Sequence, residues 1–155
     1  MTSATTPDWT KEFAAIAKQH QQIIRHKKQV ALIDFFRQHR CPQPYYINDY
    51  LNAADKYGVD WRLLPALNMQ ESTCLERYPR DTNNPFGYGS STGLYRFASI
   101  QAGIALITER LANSDAYTGK DLDEKLQAYG PHPDGKPSPT YHIEVMGWIK
   151  EISNE

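Results

Sequence analysis

Apolar positions along the chain recur at helical intervals, broken by short polar or proline-containing stretches. From Trp9 to about His39 the residues are helix formers, with Phe13, Ile16, Ile23, Ile24, Val30, Ile33 and Phe36 at mixed spacings of three, four and seven. That pattern predicts one long helix or two. Its polar middle predicts an arm laid over the domain, ended by "CPQP". A short helix is expected from about Ile47 to Tyr57, with Asn48 or Asp49 as cap and Gly58 as stop. Asp60 then caps "WRLLPALNMQE", where Pro65 requires either a kink or a helix that begins near Leu64. In either case Leu64, Leu67 and Met69 face inward, and Glu71 lies one turn beyond Leu67 on nearly the same side.

Residues 78–98, "YPRDTNNPFGYGSSTGLYRFA", carry no sustained period and predict loops with a small hairpin. Periodicity returns in "SIQAGIALITERLA", with Ser99 as cap and Ile100, Ile104, Ile107 and Leu111 on one stripe. A short helix from about Asp121 to Tyr129, the loop "GPHPDGKPSP" and a last helix carrying Tyr141, Val145, Trp148 and Ile149 complete the chain. At 155 residues it suits one core and is too short for two. The expected fold is therefore mainly α: a helical domain over 41–155 with an irregular or hairpin region, preceded by an N-terminal helical arm over 1–40.

Composition narrows the function classes. The hydrophobic fraction of 40% and charged fraction of 23% are those of an ordinary globular protein. A net charge of −1 lacks the footprint of a nucleic-acid binder, and Arg25-His26-Lys27-Lys28 reads as a solvated helix face. No run of 18 apolar residues predicts a transmembrane segment, and "MTSATTPDWT" lacks the features of a signal peptide. The 10 Tyr and 3 Trp are unusual, and flat, partly polar rings suit a sugar- or base-binding cleft as well as a core. Cys41 and Cys74 are either a disulfide or two buried thiols. Their turn-like surroundings, "RCPQP" and "ESTCLERYP", favour the disulfide, which would argue for an oxidising compartment.

Most chemical motifs are missing. No HExxH occurs, His132 and His142 are ten apart, and Asp81 and Asp134 lack calcium-hand spacing, so neither metal nor cofactor is expected. Gly89-Ser90-Ser91-Thr92-Gly93 has the letters of a serine-hydrolase elbow without the strand and helix that the elbow needs. Glu71 is different. At the C-terminal end of an apolar helix, burial and the negative end of the helix dipole both disfavour its ionised form, so its pKa should rise. Glycosidic cleavage needs such a proton donor. A plainer role, accepting hydrogen bonds from loop amides, is the alternative.

"AADKYGVDWRLLPALNMQES" resembles the helix that carries the catalytic Glu in the lysozyme-like superfamily, especially bacterial lytic transglycosylases and cell-wall glucosaminidases. "NNPFGYG" is similar to the cleft-lining turn of the glucosaminidases. "LQAYGP" is similar to the Ala-Tyr-Asn-Ala-Gly-Pro motif of the transglycosylases, and "TYHIEVMGWI" to the later helix that holds their cleft Tyr. The four motifs are in order and span about residues 46–152. The resemblance implies Glu71 as general acid and then base on the β-1,4 glycan of peptidoglycan. It implies Asn84, Phe86, Gly87 and Tyr88 as the sugar-binding floor, and Tyr129 and Tyr141 as hydrogen-bonding groups across the cleft. Ser72 would orient a substrate carbonyl or cap the helix end.

Two departures stand out. Gly130 replaces the Asn expected after Tyr129, and Cys74 and Pro79 interrupt the usual run after the acid. Hydrolysis, with Asp81 as a possible second carboxylate, and anhydro-forming transglycosylation therefore both stay open. So does a non-catalytic peptidoglycan-binding or cell-wall assembly module. The substrate would place the protein in the periplasm, outside the cell or at the envelope, with its export or anchor element outside this chain. The arm is a candidate contact for a cell-wall or secretion-machinery partner.

Overall fold

The first apolar series forms a single helix, α1, running unbroken from Trp9 to Gln38. The computed structural model describes residues 8–90, 92–130 and 138–152. Among them are six α-helices, a 3-10 turn at Arg80–Thr82 and one two-stranded antiparallel sheet, a mainly α fold with a small hairpin. The two parts of α1 differ. Leu32, Phe35 and Phe36 are buried in the same core as the later helices, whereas every residue from Asp8 to Ile23 is exposed.

Helix α2, Ile47–Tyr57, begins earlier than its polar residues predict. Its N-cap is Tyr46 in the left-handed region at φ 54°, with no side-chain cap. Asn48 and Asp49 lie inside the first turn instead. The Asn48 side chain is engaged elsewhere, accepting from Gln29 Nε2 of α1 at 2.9 Å. Arg25 makes a similar tether, donating to Asn52 and Asp55 at 2.8 and 3.0 Å. Gly58 ends the helix as expected, at φ 67°.

Helix α3, Leu63–Ser72, begins close to Pro65, so no kink is needed. Pro65 is its third residue, where a missing N–H removes no intrahelical bond. Asp60 serves the turn just before, its Oδ1 accepting from the Arg62 backbone N–H at 3.0 Å. The burial goes beyond one face: Leu63 to Met69 and Ser72 are all buried. A helix enclosed on all sides must satisfy its polar side chains internally. Asn68 donates to the Tyr50 hydroxyl at 2.5 Å and accepts from Ser72 Oγ at 2.9 Å.

α3 ends in an unusual turn. Thr73, Cys74 and Leu75 all have positive φ, at 47°, 64° and 70°. Each such non-glycine residue costs about 1–2 kcal/mol. Several contacts hold the turn against that cost. Ser72 Oγ accepts from the Leu75 amide at 3.0 Å, and the Thr73 and Cys74 amides return to Met69 and Asn68 carbonyls. Cys74 is also bonded to Cys41, a disulfide with a sequence separation of 33. Closing a loop of that length is worth about 3–4 kcal/mol in the chain-entropy account.

The hairpin strands β1, Gly89–Ser90, and β2, Gly93–Leu94, pair in register Gly89–Leu94 and Ser90–Gly93. Helix α4, Ile100–Asn113, is capped by Ser99, which accepts from the Ala102 amide, and packs against α2. Helix α5, Leu122–Tyr129, opens with a complete capping box between Asp121 and Glu124. Helix α6, Tyr141–Ile152, buries Val145, Ile149 and Ile152 and lies along α3. Among the described residues no helix is long and apolar enough to cross a membrane. Ser91, His132, Asp134 and most of the loop after Gly130 lie outside the described residues.

Candidate active site

Glu71 is the penultimate residue of α3, and three elements converge on its carboxyl group. From α6, the Tyr141 hydroxyl donates to Oε1 at 2.5 Å. From the loop before the hairpin, Gly87 comes so close that a Cβ there would lie 2.1 Å from Oε2. From α5, Tyr129 is near enough for the Glu71 charge to raise its pKa, after burial as the larger cause. Gly87 is exposed and Glu71 half-buried, and the carboxyl group occupies the space that a side chain at 87 would fill. Its φ of 62° requires glycine for a second reason.

The environment disfavours ionisation of Glu71. Burial raises its pKa above the ordinary glutamate value, and the hydrogen bond from Tyr141, which favours the ionised form, offsets only part of that rise. Tyr141 is itself held well above the usual tyrosine value, by burial first and then by the Glu71 charge. It therefore acts as a neutral donor to the carboxyl.

A ring of tyrosines surrounds this pair. Tyr129, buried, donates to the Phe86 carbonyl at 2.7 Å and so fastens the Gly87 loop to α5. Tyr88 has its ring 6.2 Å from Tyr129 and 6.3 Å from the exposed Tyr95. Tyr117, buried with its pKa pushed up to about 12 by burial, joins the same group. The departure at Gly130 has a local explanation, because a Cβ there would lie 2.4 Å from the Tyr141 ring. An asparagine at 130 would displace the tyrosine that holds Glu71.

Other expected site residues have structural roles. Asn84 is 1% exposed and organises the loop: Oδ1 accepts from the Phe86 and Tyr88 amides, and Nδ2 donates to the Tyr88 and Tyr95 carbonyls. Both ends of its side chain are engaged within the loop. Phe86 is fully buried, and only its carbonyl takes part, through Tyr129. Ser72, 1% exposed, secures the turn after α3. Asp81 is exposed and bound to Arg96 at 2.5 Å, which lowers its pKa. The structure thus brings together Glu71, Gly87, Tyr129 and Tyr141, borders them with Tyr88, and leaves Asp81 in its own ion pair.

Two features were not read from the sequence. Tyr117 lies in "SDAYTGK", which has no period to flag it. Gln70 fixes α6 beside the acid, accepting from Trp148 Nε1 at 3.0 Å and donating to Glu144 at 2.5 Å. That link had a signal, since Tyr141, Glu144 and Trp148 share one face of a helix at three- and four-residue steps. Searches against family models, curated proteins and solved structures find no match to this chain.

Proposed function

We propose that the protein cuts the β-1,4 glycan strands of peptidoglycan, with Glu71 as general acid and then base. The observation that carries this is a half-buried carboxyl, its ionisation disfavoured by burial, held by the Tyr141 hydroxyl against the exposed Gly87. The ordered motifs around it, with their resemblance to cell-wall lytic enzymes, supply the substrate class. Glu71 would give its proton to the glycosidic oxygen as the bond from the muramoyl C1 breaks. The carboxylate left behind would then take the proton of the C6 hydroxyl as that oxygen bonds to C1. An anhydro-sugar end forms and Glu71 regains its proton.

A single acid suffices for that route. Hydrolysis by inversion needs a second carboxylate, and Asp81, in the 3-10 turn just before residues 83–89, is paired with Arg96. The Cys41–Cys74 disulfide fits an oxidising compartment such as the periplasm or cell exterior, where peptidoglycan is found.

Clearing of purified cell walls should fall about 1,000-fold in Glu71→Gln, the scale of a lost general acid, with folding intact. An unchanged rate would remove the enzyme reading. Mass spectrometry of the products separates the routes, because anhydro ends are one water lighter than hydrolysed reducing ends.

A further inference from the structure

The exposed half of α1 carries a stripe that the domain does not cover. Trp9 is 58% exposed, Phe13 67%, Ile16 55% and Ile23 48%. Unsupported helices of this length are marginal in water, because a helix draws most of its stability from packing an apolar face. These four side chains belong to a regular series. Trp9, Phe13, Ile16, His20, Ile23, Lys27 and Val30 alternate steps of four and three, the seam of a two-helix coiled coil. Further along α1, Arg25, Gln29, Leu32 and Phe36 face the domain, so the seam lies on another side of the helix.

We infer that this seam binds a second copy of the same chain, with the two α1 helices antiparallel. The pattern is self-complementary in that sense. When facing residue numbers add to 36, Phe13 meets Ile23 of the second copy, Ile16 meets His20, and Trp9 meets Lys27. Each contact then occurs twice about a two-fold axis. The Trp9–Lys27 layer pairs an indole with a cation. Lys27 also lies on the wall of a groove of about 580 Å³, lined with Ile24, Lys28, Trp61 and Ile152, which has room for the incoming indole.

Charge favours the antiparallel sense over the parallel one. Lys27, on the seam, would face its own copy in a parallel pair, whereas the antiparallel pair sets it over the end that carries Asp8, Lys11 and Glu12, acidic by one charge. The paired residues 9–27 span about 27 Å of helix. A seam of that length buries on the order of 1,200 Å², the lower end of the standard stable interfaces. The two domains then lie at opposite ends of the paired helices.

Sedimentation equilibrium of the full chain tests this. The expected mass is twice the 17.7 kDa of one chain, and Phe13→Glu with Ile16→Glu should raise the dimer dissociation constant by about 100-fold or more. Oxidative cross-linking tests the direction: an Ile16→Cys chain should cross-link to a His20→Cys chain in preference to itself. A chain that stays at 17.7 kDa at all concentrations, or a double variant that still dimerises, overturns the inference. Preferred Ile16→Cys self-cross-linking would overturn the antiparallel arrangement.

Discussion

The end of α3 and the 3-10 turn at Arg80–Thr82 each present a carboxylate, and the fold treats the two in opposite ways. Glu71 is enclosed by tyrosines and a glycine, its only hydrogen-bond donor among the described residues is a neutral hydroxyl, and burial pushes its pKa up. Asp81 is in water beside a guanidinium, and that hydrogen bond and charge pull its pKa down. Residue type alone would make either a candidate acid. What separates them is the cost of ionisation, set by solvent access and by the charge of the neighbour.

The comparison breaks most visibly if the close approach of Gly87 is removed. Gly87→Ala would put a methyl group 2.1 Å from Glu71 Oε2 at a φ of 62°, so the carboxyl must move. Wall-clearing activity should fall about 100-fold, the usual cost of a misplaced catalytic group. Stability should fall by at least the 1–2 kcal/mol that a side chain in the left-handed region costs. Urea denaturation and a clearing assay measure the two effects, and a fully active variant would mean that the carboxyl does not act from this position.

Tyr141→Phe sharpens the comparison with a smaller effect. Losing one hydrogen bond to a charged group should lower activity about tenfold. The sign on pH is definite. Tyr141 favours ionised Glu71, so without it the pKa of Glu71 rises further, and the alkaline limb of the pH–rate profile, where the acid loses its proton, moves to higher pH. A limb that moves down would contradict the assigned hydrogen bond. The smallest change is expected at the other carboxylate. Asp81→Asn breaks only an exposed pair and should alter activity less than about twofold. A large loss, together with hydrolysed and not anhydro products from the unsubstituted chain, would favour Asp81 as a second acid in the proposed reaction.

How much was legible depended on what fixed each region. The helices follow from apolar periodicity and caps, and Ser99, Asp121 and Gly58 are found where their chemistry predicts. The half-burial of Glu71 and the direction of its pKa shift were legible because it follows Leu67 by one turn at the end of an apolar helix. The loop around Asn84 was not, because its shape comes from one buried amide satisfying four backbone groups, and an Asn in such a stretch looks the same whether it faces solvent or core. The cap of α2 was misread for a related reason. Asn48 has capping chemistry, but a tertiary tether to Gln29 engages it. Tyr117 reaches the site through tertiary packing alone, which no local pattern encodes.

The central claim concerns the protonation of one group, and carbon-detected NMR titration of the Glu71 side chain in the full chain tests it most directly. A midpoint above the ordinary glutamate range, rising again in Tyr141→Phe, is the predicted result. A midpoint at or below that range would mean that Glu71 is ionised when the glycosidic oxygen needs its proton, and would contradict the account.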